Sequence, residues 1–213
     1  MTKRVRYQVA VSLDGFIARP NGDYDWIVMD PGVDFAALYK QFDTAVMGRK
    51  TYEVGVAAGQ SGAMPGMDVI VFSRTLPATA HPGVRIINDD PRKIVAELKE
   101  KKGRDIWLFG GGKLFRYLLD AGLVDTVEVA VMPVLLGEGI PLLPAGASTK
   151  LKLVDQKVLP KSGIVTLAYM VEGSGSTAPR IGYVRGKREE GRGKRGRPAG
   201  AKRSAKKRGK KAR

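Results

Sequence analysis

The stretch IWLFGGGKLFRYLLDAG, residues 106–122, decides the fold. It opens on a short apolar run of strand type, breaks at three glycines, and resumes with Leu114, Phe115, Leu118 and Leu119 at helical spacing. A strand that turns through glycines into a helix is the building unit of an α/β sheet, whose ligands bind beyond the carboxyl ends of the strands. Gly110, Gly111 and Gly112 would let backbone amides approach a phosphate at a helix N-terminus, with Lys113 beside them. Glycines needed only for a tightly packed turn are the rival reading. No Lys-Ser or Lys-Thr pair closes a spaced glycine loop, and Phe115 stands where G-x-G-x-x-G requires its last glycine. The two common nucleotide-loop patterns are therefore absent.

Working outward, Val5 to Val11 alternate with period two and read as a strand, closed by SLDGF and a long loop. Asp34 to Phe42 place Phe35, Leu38, Tyr39 and Phe42 on one helical face, with Asp34 at the end where a carboxylate suits the helix dipole. TAVMG, MDVIVFS and VRIIN read as strands, GRKTYEVG as the start of a helix. DDPRKIVAELKEKKG reads as a helix with acidic cap residues, Pro91 in its first turn and Gly103 at its end. Downstream, TVEVAVMPVL is a strand, and LKLVDQKVLPKSGIVTLAYMV a terminal pair of strands. Strands that alternate with helices and then pair imply an α/β three-layer sandwich. Its sheet should be mixed, mostly parallel, with an antiparallel C-terminal edge.

Charge divides the chain. Of the net +16, residues 1–172 hold 21 Lys and Arg against 19 Asp and Glu, a net +2, while residues 173–213 hold 16 against 2, a net +14. The second segment has almost no large apolar residues beyond Ile181, Tyr183 and Val184. A compact domain over 1–172, a flexible linker over 173–179 and a disordered Lys/Arg-rich tail over 180–213 are expected. Within the tail, Lys194, Arg195, Gly196, Arg197 and Pro198 resemble the core of an AT-hook, whose extended arginines lie in a narrow A·T minor groove. A tail that only solubilises the domain is the alternative. The chain has no cysteine, which excludes disulfides, thiolate nucleophiles and cysteine-ligated metals. The single histidine, His81, sits in the loop-like TAHPG, so no metal site is expected. No run approaches a membrane span, and the expected location is cytoplasmic, or nucleoid-associated through the tail.

Two further strand-to-helix junctions carry anion-binding residues: Gly48, Arg49 and Thr51 in VMGRKTYE, and Ser73 with Arg74 in VIVFSRTLP. Arg74 could clamp a ribose 2′-phosphate.

The ordered set SLDGFIA (12–18), Asp25-Trp26, MGRKTYE (47–53), SRT (73–75), FGGGKLF (109–115) and PVLLGEGIPLL (133–143) resembles the dihydrofolate reductase-like superfamily. It is most similar to the C-terminal reductase domain of riboflavin-biosynthesis deaminase-reductases, over residues 4–171. The resemblance implies an NADPH-dependent reductase acting on a pyrimidine- or pteridine-like substrate. With no deaminase segment in the sequence, a stand-alone reductase is expected. The same resemblance implies that Gly48, Arg49, Thr51, Ser73 and Arg74 hold the cofactor's phosphates and that Gly110 to Lys113 line the pyrophosphate. Ala10, Ile17 and Ala18 would face the nicotinamide, and a cis peptide would join Gly110 to Gly111. It also implies a homodimer through PVLLGEGIPLL and the terminal strands. Reduction needs a proton donor; Asp14, Asp25, Asp30 and Asp34 are the acids near the cleft, and Asp34 is favoured, with a helix cap as its alternative role. Its spacing to Gly48 is shorter than in dihydrofolate reductases, which makes dihydrofolate reduction the less favoured alternative. The other function class is a DNA-binding protein that uses the basic tail, with the reductase fold as scaffold.

Overall fold

The structure, a computed structural model, describes residues 2–78 and 82–174. His81, Lys194, Arg195, Gly196, Arg197, Pro198 and all but two residues of the expected linker lie outside them.

The strands are β1 (Val5–Ser12), β2 (Phe16–Ala18), β3 (Phe42–Gly48), β4 (Asp68–Phe72), β5 (Val84–Ile87), β6 (Asp105–Gly110), β7 (Thr126–Met132), β8 (Ile140–Pro141), β9 (Leu151–Leu159) and β10 (Ile164–Val171). The helices are α1 (Phe35–Tyr39), α2 (Arg49–Ala57), α3 (Pro91–Glu100) and α4 (Gly112–Asp120). Eight strands form one sheet in the order β5-β4-β3-β6-β1-β7-β10-β9. The pairings from β5 across to β7 are parallel, and β10 pairs antiparallel with both β7 and β9. The three-layer sandwich with an antiparallel C-terminal edge is the fold observed.

Alternate strand residues point to opposite faces. On one face Val5, Tyr7, Val46, Ile70, Ile106 and Leu108 bury against α3 and α4, where the Tyr7 ring stacks on Phe115 at 3.7 Å between centroids. On the other, Ala45, Met47, Val69, Val71 and Trp107 bury against α1 and α2. Trp26, with Met132, Leu159 and Ile164, extends that face toward β7 and β10.

The sequence reading needs four corrections. The helix expected over Asp34–Phe42 is only Phe35–Tyr39, because Phe42 opens β3 and is fully buried against Trp107. α3 ends at Glu100 instead of Gly103; Gly103 instead packs where a Cβ would meet Asp43 Oδ2 at 2.2 Å, beside the Lys3–Asp43 ion pair. The loop segments at Phe16 and Ile140 form a small two-stranded antiparallel sheet, β2 with β8, closed because Gly139 lets the Ala18 carbonyl approach where a Cβ would stand 2.3 Å away. No cis peptide occurs among the described residues: Gly110 joins Gly111 in trans, and the chain turns through Gly111 at φ +90°.

Candidate functional site

The carboxyl ends of β3, β4, β5 and β6 gather most of the anion-binding residues. Thr51, in the first turn of α2, stands opposite the β6–α4 junction. A Cβ on Gly111 would lie 3.2 Å from Thr51 Oγ1, and one on Gly110 would lie 3.3 Å from Thr51 Cγ2. Gly48 and Gly111 are the N-cap residues of α2 and α4, and neither helix has a side-chain cap. Two helix N-termini, each with amides that lack an intrahelical acceptor, thus converge on one threonine. Gly112 has a different job: its Cβ would meet the Pro141 carbonyl at 2.8 Å and the Leu142 carbonyl at 3.2 Å, so its glycine serves packing of the β8 segment. Lys113 is exposed beside this junction. Arg49 pairs with Glu53 at 3.2 Å on the α2 surface, where both side chains are solvated.

Beyond β4 and β5 lies a cavity of about 550 Å³, with Ser73 and Arg74 on one rim and Asn88, Asp89, Asp90 and Tyr117 on the other. The buried Ser73 hydroxyl accepts hydrogen bonds from the Thr75 and Leu76 amides at 3.2 and 3.0 Å. That fixes the turn from which the exposed Arg74 projects. On the far rim Asp90 caps α3 and pairs with Arg92 at 2.8 Å, accepts from the Tyr117 hydroxyl at 3.2 Å, and lies beneath an Arg92 guanidinium stacked 4.7 Å above the Tyr117 ring. The Arg92 hydrogen bonds, joined by that of Tyr117, hold the Asp90 carboxyl at about 2. The sequence reading took Asp90 as a cap and did not foresee the Arg92–Tyr117 stack, which joins two helices and has no local signature.

The four acids stand in different settings. Asp14 accepts from the Ser12 hydroxyl at 2.6 Å and from the Leu136 and Gly137 amides at 3.0 and 2.7 Å, which hold its carboxyl below the usual carboxylate range. It organises the loop before β8. Asp25 is paired with Arg19 at 2.6 Å on the surface. Asp30 is buried, accepts from the Gly32 amide at 2.6 Å, and has its carboxyl held low by the neighbouring Ser162 and by that amide. Asp34 is the N-cap of α1 and accepts from the Ala37 amide at 3.0 Å. The cap role read from the sequence is present, at the mouth of the face that α1 covers.

Of the expected nicotinamide contacts, Ala10 packs with Trp26 and Ala130 on the α1 side, whereas Ile17, with Leu142 and Leu143, packs toward α4. Ala18 lies in β2 beside Gly139. The three are not gathered in one apolar cluster.

Beneath Ala10 lies a network the sequence reading missed. Arg6, 1% exposed, is bidentate to the fully buried Glu128 at 2.7 and 2.8 Å, and Thr126 and Gln8 also donate to Glu128. The available signal was Arg6, Gln8 and Glu128 at alternating positions of strands covered on both faces, where apolar residues are the rule. Among the described residues no cluster of His, Asp and Glu could hold a metal ion, and no helix is long and apolar enough to cross a membrane.

Comparison with known proteins agrees with this architecture. The profile of the RibD C-terminal domain matches residues 3–165. The uncharacterized protein YyaP of Bacillus subtilis (strain 168) is 34% identical over 179 residues, covering 78% of this chain and 94% of YyaP. The crystal structure of a candidate riboflavin biosynthesis protein from Shewanella sp. PV-4 superposes with a TM-score of 0.69 and 26% identity, covering 81% of this chain and 99% of that one. A diaminohydroxyphosphoribosylaminopyrimidine deaminase/5-amino-6-(5-phosphoribosylamino)uracil reductase from Thermotoga maritima shares the fold at a TM-score of 0.61 and 18% identity, over 80% of this chain and 57% of that one.

Proposed function

Because the chain belongs to the family of RibD C-terminal domains, we propose that it is an NADPH-dependent reductase that transfers a hydride to a pyrimidine- or pteridine-like substrate. The observation that carries this reading is the convergence of the uncapped N-termini of α2 and α4 on Thr51, across glycines whose Cβ atoms would crowd it. Two sets of free amides suit a pyrophosphate better than a single anion. The 550 Å³ cavity next to it has room for an adenosine moiety, and Arg74 at its rim would meet a 2′-phosphate. When bound, NADPH would supply the hydride. Asp34, the N-cap of α1, is our candidate for the proton donor to the reduced substrate.

The test is a calorimetric titration of NADPH and NADH into wild type and Arg74→Ala. Wild type should prefer NADPH, and the substitution should weaken NADPH by about tenfold or more, the scale of a lost charge-assisted bond, while leaving NADH nearly unchanged. Equal binding of the two cofactors by wild type would refute the role of Arg74, and no binding of either would refute the reductase reading.

A second activity is favoured by the charge division. Residues 173–213 hold a net +14 beside a nearly neutral body, so we place DNA binding in that segment, with affinity falling steeply as salt rises. Deleting it should abolish retention on DNA-cellulose and leave the NADPH isotherm unchanged; DNA retention by the truncated chain would sink this division of labour.

Self-association through the C-terminal edge is a further part of the reading, supported by exposed Leu151, Leu153 and Val158 on the edge strand β9. Light scattering should give twice the chain mass for wild type and a monomer for Leu153→Lys/Val158→Lys. A monomeric wild type would refute it.

A further inference from the structure

At the amino ends of the parallel strands, away from the glycine junctions, positive charge collects beyond what the local acids match. Lys3, Arg4 and Lys99 are engaged there, with Asp43 at 2.6 Å, Asp105 at 2.7 Å and Asp125 at 2.6 Å. Four neighbours are not. Lys40, Lys101 and Lys102 are exposed, and among the described residues none of them pairs with a carboxylate. Arg104, also exposed, donates to the Lys40 and Gly66 carbonyls at 3.2 and 3.1 Å, neutral partners that position its guanidinium and leave its charge uncancelled. Glu100 and Glu172 are exposed at this end and offset part of that charge. Stabilising the end of α3 falls to Lys99 in its last turn; Lys102 and Arg104 lie beyond it.

The basic segment starts from the same end. β10 finishes at Val171, whose amide donates to the Asp125 carbonyl at 3.0 Å, and the Asp125 amide donates to the Val5 carbonyl at 2.9 Å. Residues 173–213, with their net +14, thus begin at the amino ends of β1 and β7. From β10 to β6 is three strand spacings, about 15 Å. Lys150 and Lys152, both exposed, flank the start of the segment: the Glu172 amide donates to the Lys150 carbonyl at 3.1 Å, and Lys152 stands opposite Met170. Phosphates recur about every 3.4 Å along a DNA strand, so one duplex can meet both the start of the segment and the Lys101–Arg104 corner.

The carboxyl ends of the strands offer a polyanion less. β6 alone sets the two ends apart by six residues, about 20 Å. Asp89 and Asp90 stand on the rim of the 550 Å³ cavity there, and Arg49 is already paired with Glu53.

We propose that the corner formed by Lys40, Lys101, Lys102 and Arg104 binds the phosphate backbone of the same duplex DNA that the basic segment engages, so that the body docks with its cavity end turned away from the DNA. The proposal rests on the DNA-binding reading of residues 173–213 and adds to it a fixed orientation of the body. Four cations make too few phosphate contacts to retain DNA unaided; the corner acts only beside the segment. The Lys194–Pro198 run of that segment favours DNA over an anionic membrane as the shared partner.

The test is fluorescence anisotropy of an A·T-rich duplex of about 30 base pairs, titrated with the full chain across about 50–200 mM salt. Lys101→Gln/Lys102→Gln should make the slope of log affinity against log salt shallower by about 1.8, as two lost phosphate contacts require, and weaken binding roughly tenfold or more at the low-salt end. Lys50→Gln/Lys161→Gln removes the same charge from exposed positions at the carboxyl ends and should change neither. Acetylation footprinting of the complex should protect Lys101 and Lys102 and leave Lys50 and Lys161 as reactive as in the free chain. An unchanged slope for the Lys101/Lys102 variant would overturn the proposal, as would equal falls for both variants or undiminished labelling of Lys101 and Lys102; the DNA reading of the segment would survive each. A wild-type chain that does not bind the duplex would remove that reading, and this proposal with it. Phosphatidylserine vesicles that bind wild type more tightly than the duplex does, and lose affinity for the Lys101/Lys102 variant, would assign the corner to a membrane instead.

Discussion

At the scale of single residues, the Arg6–Glu128 pair is the most exacting arrangement in the molecule. Both groups are removed from water, and each satisfies the other's charge. Glu128→Gln keeps the shape and takes away the charge, leaving the buried guanidinium with Asp105, 3.4 Å away, as its remaining counter-charge and the Phe42 ring 4.7 Å away. The expected loss of stability is about 3 kcal/mol in urea unfolding, the lower end for a broken buried pair, because Asp105 still offsets part of the charge. Arg6→Met/Glu128→Leu should recover most of that loss, since hydrophobic residues of similar volume often replace a buried pair without penalty. A single variant as stable as wild type would mean that Asp105 alone suffices as the counter-charge of Arg6. Composition could not reveal such a pair, since Arg6 and Glu128 are 122 positions apart in sequence and meet only through strand register.

At the scale of elements, the three glycines after β6 look alike in the sequence and differ in the fold. Gly111→Ala forces a side chain onto a backbone at φ +90° and against Thr51, so it should weaken NADPH binding. Gly112→Ala pushes against the backbone of the β8 segment and should cost stability, about 1–3 kcal/mol for an overpacked contact with carbonyls that cannot step aside. Calorimetry and thermal unfolding of the two variants check the split; equal loss of binding in both would show that the glycines act as one unit. The same region shows what local sequence can convey. The strand–glycine–helix units at 106–122 and 44–57 were legible, because periodicity changes from strand to helix across a glycine. The β2–β8 pair was not, since its two short strands are held by Gly139 and by Asp14 bonding across 122 positions. Phe42 was misread because helix and strand patterns overlap for a few residues, and burial against Trp107 from β6 decides between them. Among the site residues, Thr51, Ser73 and Arg74 were legible from their positions just after strands. The Arg6–Gln8–Glu128 network was not, being made across β1 and β7, which only the fold brings together.

At the scale of the whole molecule, the described body and the basic segment obey different rules. The body buries a core on both faces of one sheet, while the segment from 173 onward has charge in place of apolar mass. The strand order adds a matter of timing. β1, the first strand to be made, ends in the middle of the sheet between β6 and β7, which begin at Asp105 and Thr126. β3, β4 and β5 are neighbours in sequence and in space, so these three strands can assemble before β6 has been made. β1 cannot. Its two edges stay bare until β6 and then β7 have been made, which makes VRYQVAVS the segment a chaperone would have most reason to shield.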